Sequence, residues 1–220
     1  MHFVQFVRTL AAGGPVMVPL LACSFLAVFV IIERYFYLRA ASRFSRSLIT
    51  ELEADLAEGD TAAAVQRCEC AGGTVTAVLA AGLRAAMHRR DPEKAMMEQA
   101  MAEVPSLNRG LPVLDTIVTV APLLGLLGTV TGMIRSFGIV AKSGASQPAG
   151  ITAGVAEALI ATATGLVIAI MSLVAYNYFV DRVRRITSEA ELRSTQIEHF
   201  LQNLAAKPTG EYAMSPADRC

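Results

Sequence analysis

The sequence predicts an all-α integral membrane protein with three transmembrane helices, and three observations predict it. First, 54% of the residues are apolar and only 17% charged, with mean hydropathy +0.47, whereas soluble domains carry about a quarter charged residues. Second, three runs carry no charge at all: Pro15–Ile32, Thr116–Ile134 and Ala158–Val180. At about 1.5 Å rise per residue, the shortest of them covers about 27 Å as a helix, close to the hydrocarbon thickness of a bilayer. Third, the polar remainder carries helix start signals. Asp60 after Gly59 reads as an N-cap, and Asp91-Pro92-Glu93 combines a capping Asp, a Pro at the first helical position and an acid in the first turn.

Taken in order, residues 1–14 are a short outer segment with His2 and Arg8, and residues 15–33 are the first span. A cleaved signal peptide is disfavoured there, because the run is long for an h-region, contains Pro19 and precedes no A-x-A site. Glu33-Arg34-Tyr35-Phe36-Tyr37 closes the span with an aromatic belt. Residues 34–112 form a polar helical region, in which Pro105 and Pro112 either bend or end the helix that starts at Asp91. The second span is residues 113–138, a short loop is 139–153, and the third span is 154–180. A charged helix follows over 181–205, and 206–220 has the composition of a disordered tail. The second and third helices are expected to continue past the bilayer as long helices.

Basic residues set the orientation. Ten lie between the first two spans (Arg34, Arg39, Arg43, Arg46, Arg67, Arg84, Arg89, Arg90, Lys94 and Arg109) and six follow the third, while the amino terminus and short loop hold Arg8, Arg135 and Lys142. The large middle segment and the carboxyl terminus therefore face the cytoplasm, and the amino terminus lies outside.

No enzymatic constellation emerges. His2, His88 and His199 fall on separate elements, and Cys23, Cys68, Cys70 and Cys220 suggest neither a disulfide framework nor a metal site. The segment G-L-L-G-T-V-T-G lacks the Lys of a phosphate loop and lies at membrane depth. The formal net charge is zero, which gives no reason to expect nucleic acid. The sequence thus predicts no enzyme, no cofactor and no metal, with membrane lipids around the spans.

Polarity at membrane depth carries the information. Gly125, Gly128, Thr129, Gly132 and Ser136 recur at helical spacing on the second span, and Gly154, Ala158, Thr162, Gly165, Ala169 and Ser172 do so on the third. Small-residue faces let backbones approach, so the two spans are expected to pack together or to line a common cavity. Thr131 and Thr164 read as hydroxyls bonded back to their own helix. Thr129 and Thr162 lie within the small faces and read as pore-lining. Glu157, at the outer end of the third span, is a functional acid or a carboxylate at the lipid interface, and both readings stand. Ion movement needs titrating groups near the midplane, and threonine does not titrate there. No span holds an Asp, Glu, Lys, Arg or His in its middle, so if the chain conducts protons the ionisable relay must come from another polypeptide docked on this face.

Ala121–Phe137 (A-P-L-L-G-L-L-G-T-V-T-G-M-I-R-S-F) and Gly154–Ile170 (G-V-A-E-A-L-I-A-T-A-T-G-L-V-I-A-I) resemble the paired motifs of the MotA/TolQ/ExbB proton-channel family, with supporting matches at Glu33-Arg34 and Arg109-Gly110-Leu111. The resemblance covers the three-span layout and is nearest to ExbB-like subunits. It implies a stator subunit of the bacterial inner membrane, assembled as a ring of five copies around the transmembrane helices of two ExbD- or TolR-like subunits. That partner's transmembrane Asp titrates, and proton flow drives a TonB- or TolA-like transducer. By motif position, Thr129, Glu157 and Thr162 correspond to polar residues near the proton path. The short outer segment differs from longer ExbB proteins, A-P-L-L-G-L-L differs from the TolQ pattern, and three spans argue against a flagellar MotA. A TolQ-type or gliding motor, and a structural scaffold without ion flux, are the alternatives.

Overall fold

A computed structural model describes residues 13–143 and 148–206. Residues 1–12, 144–147 and 207–220, with most of the expected outer segment, part of the loop and nearly all of the expected tail, lie outside the described residues. Within them every regular element is a helix: α1 (Met17–Ala41), α2 (Arg46–Ala57), α3 (Thr61–Ala71), α4 (Thr74–Met87), α5 (Pro92–Asn108), α6 (Leu111–Ser143) and α7 (Pro148–Ala206). Three helical stretches, Met17–Ala41, Pro92–Ala141 and Thr152–Leu204, are long and apolar enough to cross a membrane. The chain divides into two compact units, Met1–Phe36 with Asn108–Asp181 and Tyr37–Leu107 with Arg182–Cys220.

The first unit contains most of α1, all of α6 and the first part of α7. Pro19 falls in the first turn of α1, where its missing N–H costs no helical bond. Pro105 is accommodated inside α5, and the chain breaks instead at Gly110, whose φ is +78°. A side chain there would be strained and would also meet Val30 Cγ1 at 3.2 Å, so glycine satisfies both constraints. Pro112 then sits in the first turn of α6, and α6 continues through Pro122 for 33 residues. The core is built of Leu20, Ala27, Ile117, Ala121, Ala161, Ile168 and Ala169 with Val16 and Met17. Phe25, Leu126, Phe137 and Val167 point outward and are well exposed, the chemistry expected of a lipid-facing surface.

The second unit is a small helical domain with large aliphatic side chains inside: Leu48, Leu52, Leu79, Leu83, Met96 and Ile197 are all buried. Its helices are short because the sequence punctuates them. Gly59 ends α2 at φ +82°, and Gly72 and Gly73 separate α3 from α4 at φ +65° and +111°. The Asp60 carboxylate accepts from Ala63 N at 2.9 Å and Asp91 from Lys94 N at 3.3 Å, capping α3 and α5. Arg67 grips Asp55 through two bonds, of 2.8 and 3.0 Å, and Glu51 through a third of 3.0 Å, tying α3 to α2. Cys68 is buried beside this clasp, and burial pushes its thiol up to about 11. Helix α7 runs unbroken for 59 residues and supplies residues to both units.

Candidate functional site

Helices α6 and α7 meet along a seam made of the small residues noted above. A methyl group added to Gly165 would lie 2.5 Å from the Ala121 carbonyl oxygen and 3.2 Å from Gly125 Cα. One added to Gly132 would lie 2.8 Å from the Gly154 carbonyl oxygen, and one on Gly125 would stand 3.1 Å from Thr162 Cα. Gly128 faces the Ala161 methyl in the same way, and Gly154 faces the Ser136 hydroxyl. Backbones this close leave no room for a Cβ, which is why the seam is written in glycine and alanine. Ala158 is buried in it, next to Gly132. Two seam carbonyls also accept from hydroxyls, Gly132 O from Ser136 at 3.1 Å and Gly125 O from Thr162 at 3.0 Å.

The threonines fall into two geometries. Thr131 donates to Leu127 O at 2.9 Å and Thr164 to Ile160 O at 2.8 Å, each within its own helix. Thr129 does likewise, at 2.7 Å to Leu126 O, and its side chain is half-buried on the flank of the seam. Thr162 crosses over: its hydroxyl lies 3.0 Å from Gly125 O on α6 and 3.3 Å from Ala158 O on its own helix. A hydroxyl has one proton and two lone pairs. With that proton directed at a backbone carbonyl, what Thr129 and Thr162 offer to anything else is acceptor capacity.

Glu157 has a partner that periodicity along one helix does not reveal. Both of its carboxylate oxygens lie 2.8 Å from Arg135 Nη1, across from α7 to α6. Gly14 covers the carboxylate from α1's leading turn, and a Cβ on Gly14 would collide with it. The acid is consequently mostly enclosed (14% exposed) while Arg135 remains half exposed (52%). A signal for this pairing did exist, since the two spans run antiparallel and each has one charge at the same end. Arg34 was read from the sequence as a basic residue past the first span. Its side chain is buried, with Glu33 paired to it at 2.8 Å. Among the described residues no group of His, Cys, Asp and Glu is placed to hold a metal ion.

Comparison with known proteins places the chain among relatives. The profile of the MotA/TolQ/ExbB proton channel family matches residues 72–192. ExbB-like 3 of Synechocystis sp., named for biopolymer transport, is 35% identical over 212 residues, covering 93% of this chain and 99% of that protein. The biopolymer transport protein ExbB of Pseudomonas putida is 40% identical over 92 residues, 42% of this chain and 28% of its own length. The Tol-Pal system protein TolQ of Haemophilus influenzae is 44% identical over 89 residues, 40% of this chain and 38% of its own length.

Proposed function

Because this chain belongs to the MotA/TolQ/ExbB proton channel family, we propose that it is an ExbB-like stator subunit of the bacterial inner membrane. In this reading it forms a homo-oligomeric ring, with five copies the expected number, around an ExbD- or TolR-like single-span partner. Protons crossing that assembly drive TonB-dependent import or related envelope transport. The amino terminus is periplasmic and the large helical region cytoplasmic.

One observation carries the proposal. The hydroxyls of Thr129 and Thr162 direct their protons to backbone carbonyls, so their lone pairs are available to a protonated carboxyl or a water chain. Between Asp115 and Arg135, and again between Glu157 and Asp181, the chain has no Asp, Glu, Lys, Arg or His. A wall of acceptors without a titrating group suits a path whose proton carrier, a transmembrane Asp, belongs to the partner. Glu157 stands at the outer end of this wall, with its charge matched by Arg135. The large apolar side chains on the outer faces of α6 and α7, such as Leu123, Leu126, Val167 and Met171, are suited to lipid or to neighbouring copies.

Proton uptake into proteoliposomes that hold this chain and its co-expressed partner tests the reading. Thr129→Val and Thr162→Val should leave the oligomer intact and cut uptake about tenfold or more, and Thr→Ser at the same positions should restore most of it. Unchanged uptake in both valine variants removes these residues from the path. The similarity to TolQ supports a second reading, service in a Tol-Pal-type system, which complementation of a strain lacking TolQ separates from one lacking ExbB. A scaffold without ion flux would show normal assembly and no uptake in the parent protein.

A further inference from the structure

We propose that the second unit carries a phosphate-binding pocket, formed by Ser42, Arg182 and Arg185, that takes the headgroup phosphate of an anionic phospholipid. A cavity of about 250 Å³ opens between the chain just past α1 and the start of the polar part of α7, with Ser42, Phe44, Arg182, Arg185 and Glu189 on its walls. That is smaller than the pockets that enclose an organic ligand, roughly 300 Å³ and up, and suits a compact anion.

The polar groups are arranged for such an anion. Ser42 gives its hydroxyl proton to Arg39 O at 3.2 Å and accepts from Arg182 Nη2 at 2.7 Å. A neutral oxygen therefore orients the Arg182 guanidinium without cancelling its charge, and a guanidinium has five N–H donors to share. The acid on the wall, Glu189, accepts from Arg193 Nε at 2.8 Å, so that its charge is already matched. Arg193 in turn stacks over Phe44, 5.5 Å from the ring centroid, which fixes that wall. Arg185 adds a second cation. The two stretches that border the cavity, 39–46 and 181–189, hold six arginines against Asp181 and Glu189.

Position in the chain identifies the source. Ser42 directly follows Ala41, the last residue of α1, the helix that carries the first span, and Arg182 lies two residues after the uncharged run that ends at Val180. Basic pockets where membrane helices leave the bilayer meet headgroups of anionic lipids. This depends on the chain crossing a membrane and not on proton conduction, so the two proposals fail separately.

Native mass spectrometry of the full-length, delipidated protein in detergent provides the test, with phosphatidylglycerol, phosphatidylcholine and inorganic phosphate as probes. The parent should retain phosphatidylglycerol about tenfold more tightly than phosphatidylcholine. Arg182→Gln with Arg185→Gln should abolish that preference, Arg182→Lys should keep part of it, and Arg90→Gln, at an exposed turn elsewhere, should keep all of it. Competition by millimolar inorganic phosphate would assign the pocket to a soluble phosphate compound, and no competition assigns it to the lipid. Equal retention of the two lipids by the parent, which needs no variant, overturns the proposal. So does undiminished preference in the double glutamine variant.

Discussion

The two units of this chain solve the same packing problem with opposite side chains. In the α6–α7 seam the contact is backbone on backbone, and Gly125, Gly132 and Gly165 leave no space for a methyl group. In the second unit the contact is side chain on side chain, with Leu52, Leu79 and Leu83 fully enclosed. Water explains the difference. Where a domain folds in water, burying a leucine contributes about 1.5–3 kcal/mol, so volume is what a core accumulates. Between helices surrounded by lipid the neighbours are already as apolar as leucine, and attraction comes from close approach and a few shared hydrogen bonds. Bulk helps in one place and harms in the other.

Alanine therefore tests both regions by opposite means. Leu79→Ala removes volume from the second unit and should cost about 2–5 kcal/mol. The buried Cys68 thiol reports it: with its thiol pushed up to about 11, roughly one in a thousand is thiolate at pH 8. The parent should resist maleimide there while exposed Cys70 reacts, and the variant should label at Cys68 many times faster. Gly165→Ala adds volume and should cost about 1–3 kcal/mol through overpacking against Ala121 O. The expected readout is a lower midpoint for thermal unfolding in detergent, with Cys68 labelling unchanged. A Gly165→Ala variant as stable as the parent would contradict the close seam. The smallest effect belongs to the solvent side of the second unit, where Arg67→Gln removes the exposed clasp to Asp55 and Glu51. An exposed, solvent-screened clasp contributes little, and urea unfolding should barely register its loss.

Much of this architecture can be read from the chain alone, because the signals are local. Charge-free runs mark the spans, Asp60 and Asp91 mark helix starts, and glycine at intervals of three and four marks the seam. The unread parts are those decided by residues distant in sequence. Only the antiparallel run of the two spans hints that Glu157 meets Arg135, 22 residues earlier, and the cover provided by Gly14 has no local signal. The burial of Arg34 is hidden in the same way, since a span's closing arginine normally faces the headgroups. The separation of α3 from α4 turns on Gly72 and Gly73, two adjacent residues at positive φ that composition alone does not single out. Thr129 and Thr162 share similar helical settings, yet only contact with Gly125 O sets the second apart.

A surface of glycine and alanine is smooth. Residues recurring every three or four positions would fit nearly as well after one helix slid along the other by a turn, about 5.4 Å. The Arg135–Glu157 pair admits only one such alignment, because both oxygens must reach a single guanidinium nitrogen. The charge at the rim acts as a pin, holding two slippery rods at a fixed offset where interlocking side chains cannot.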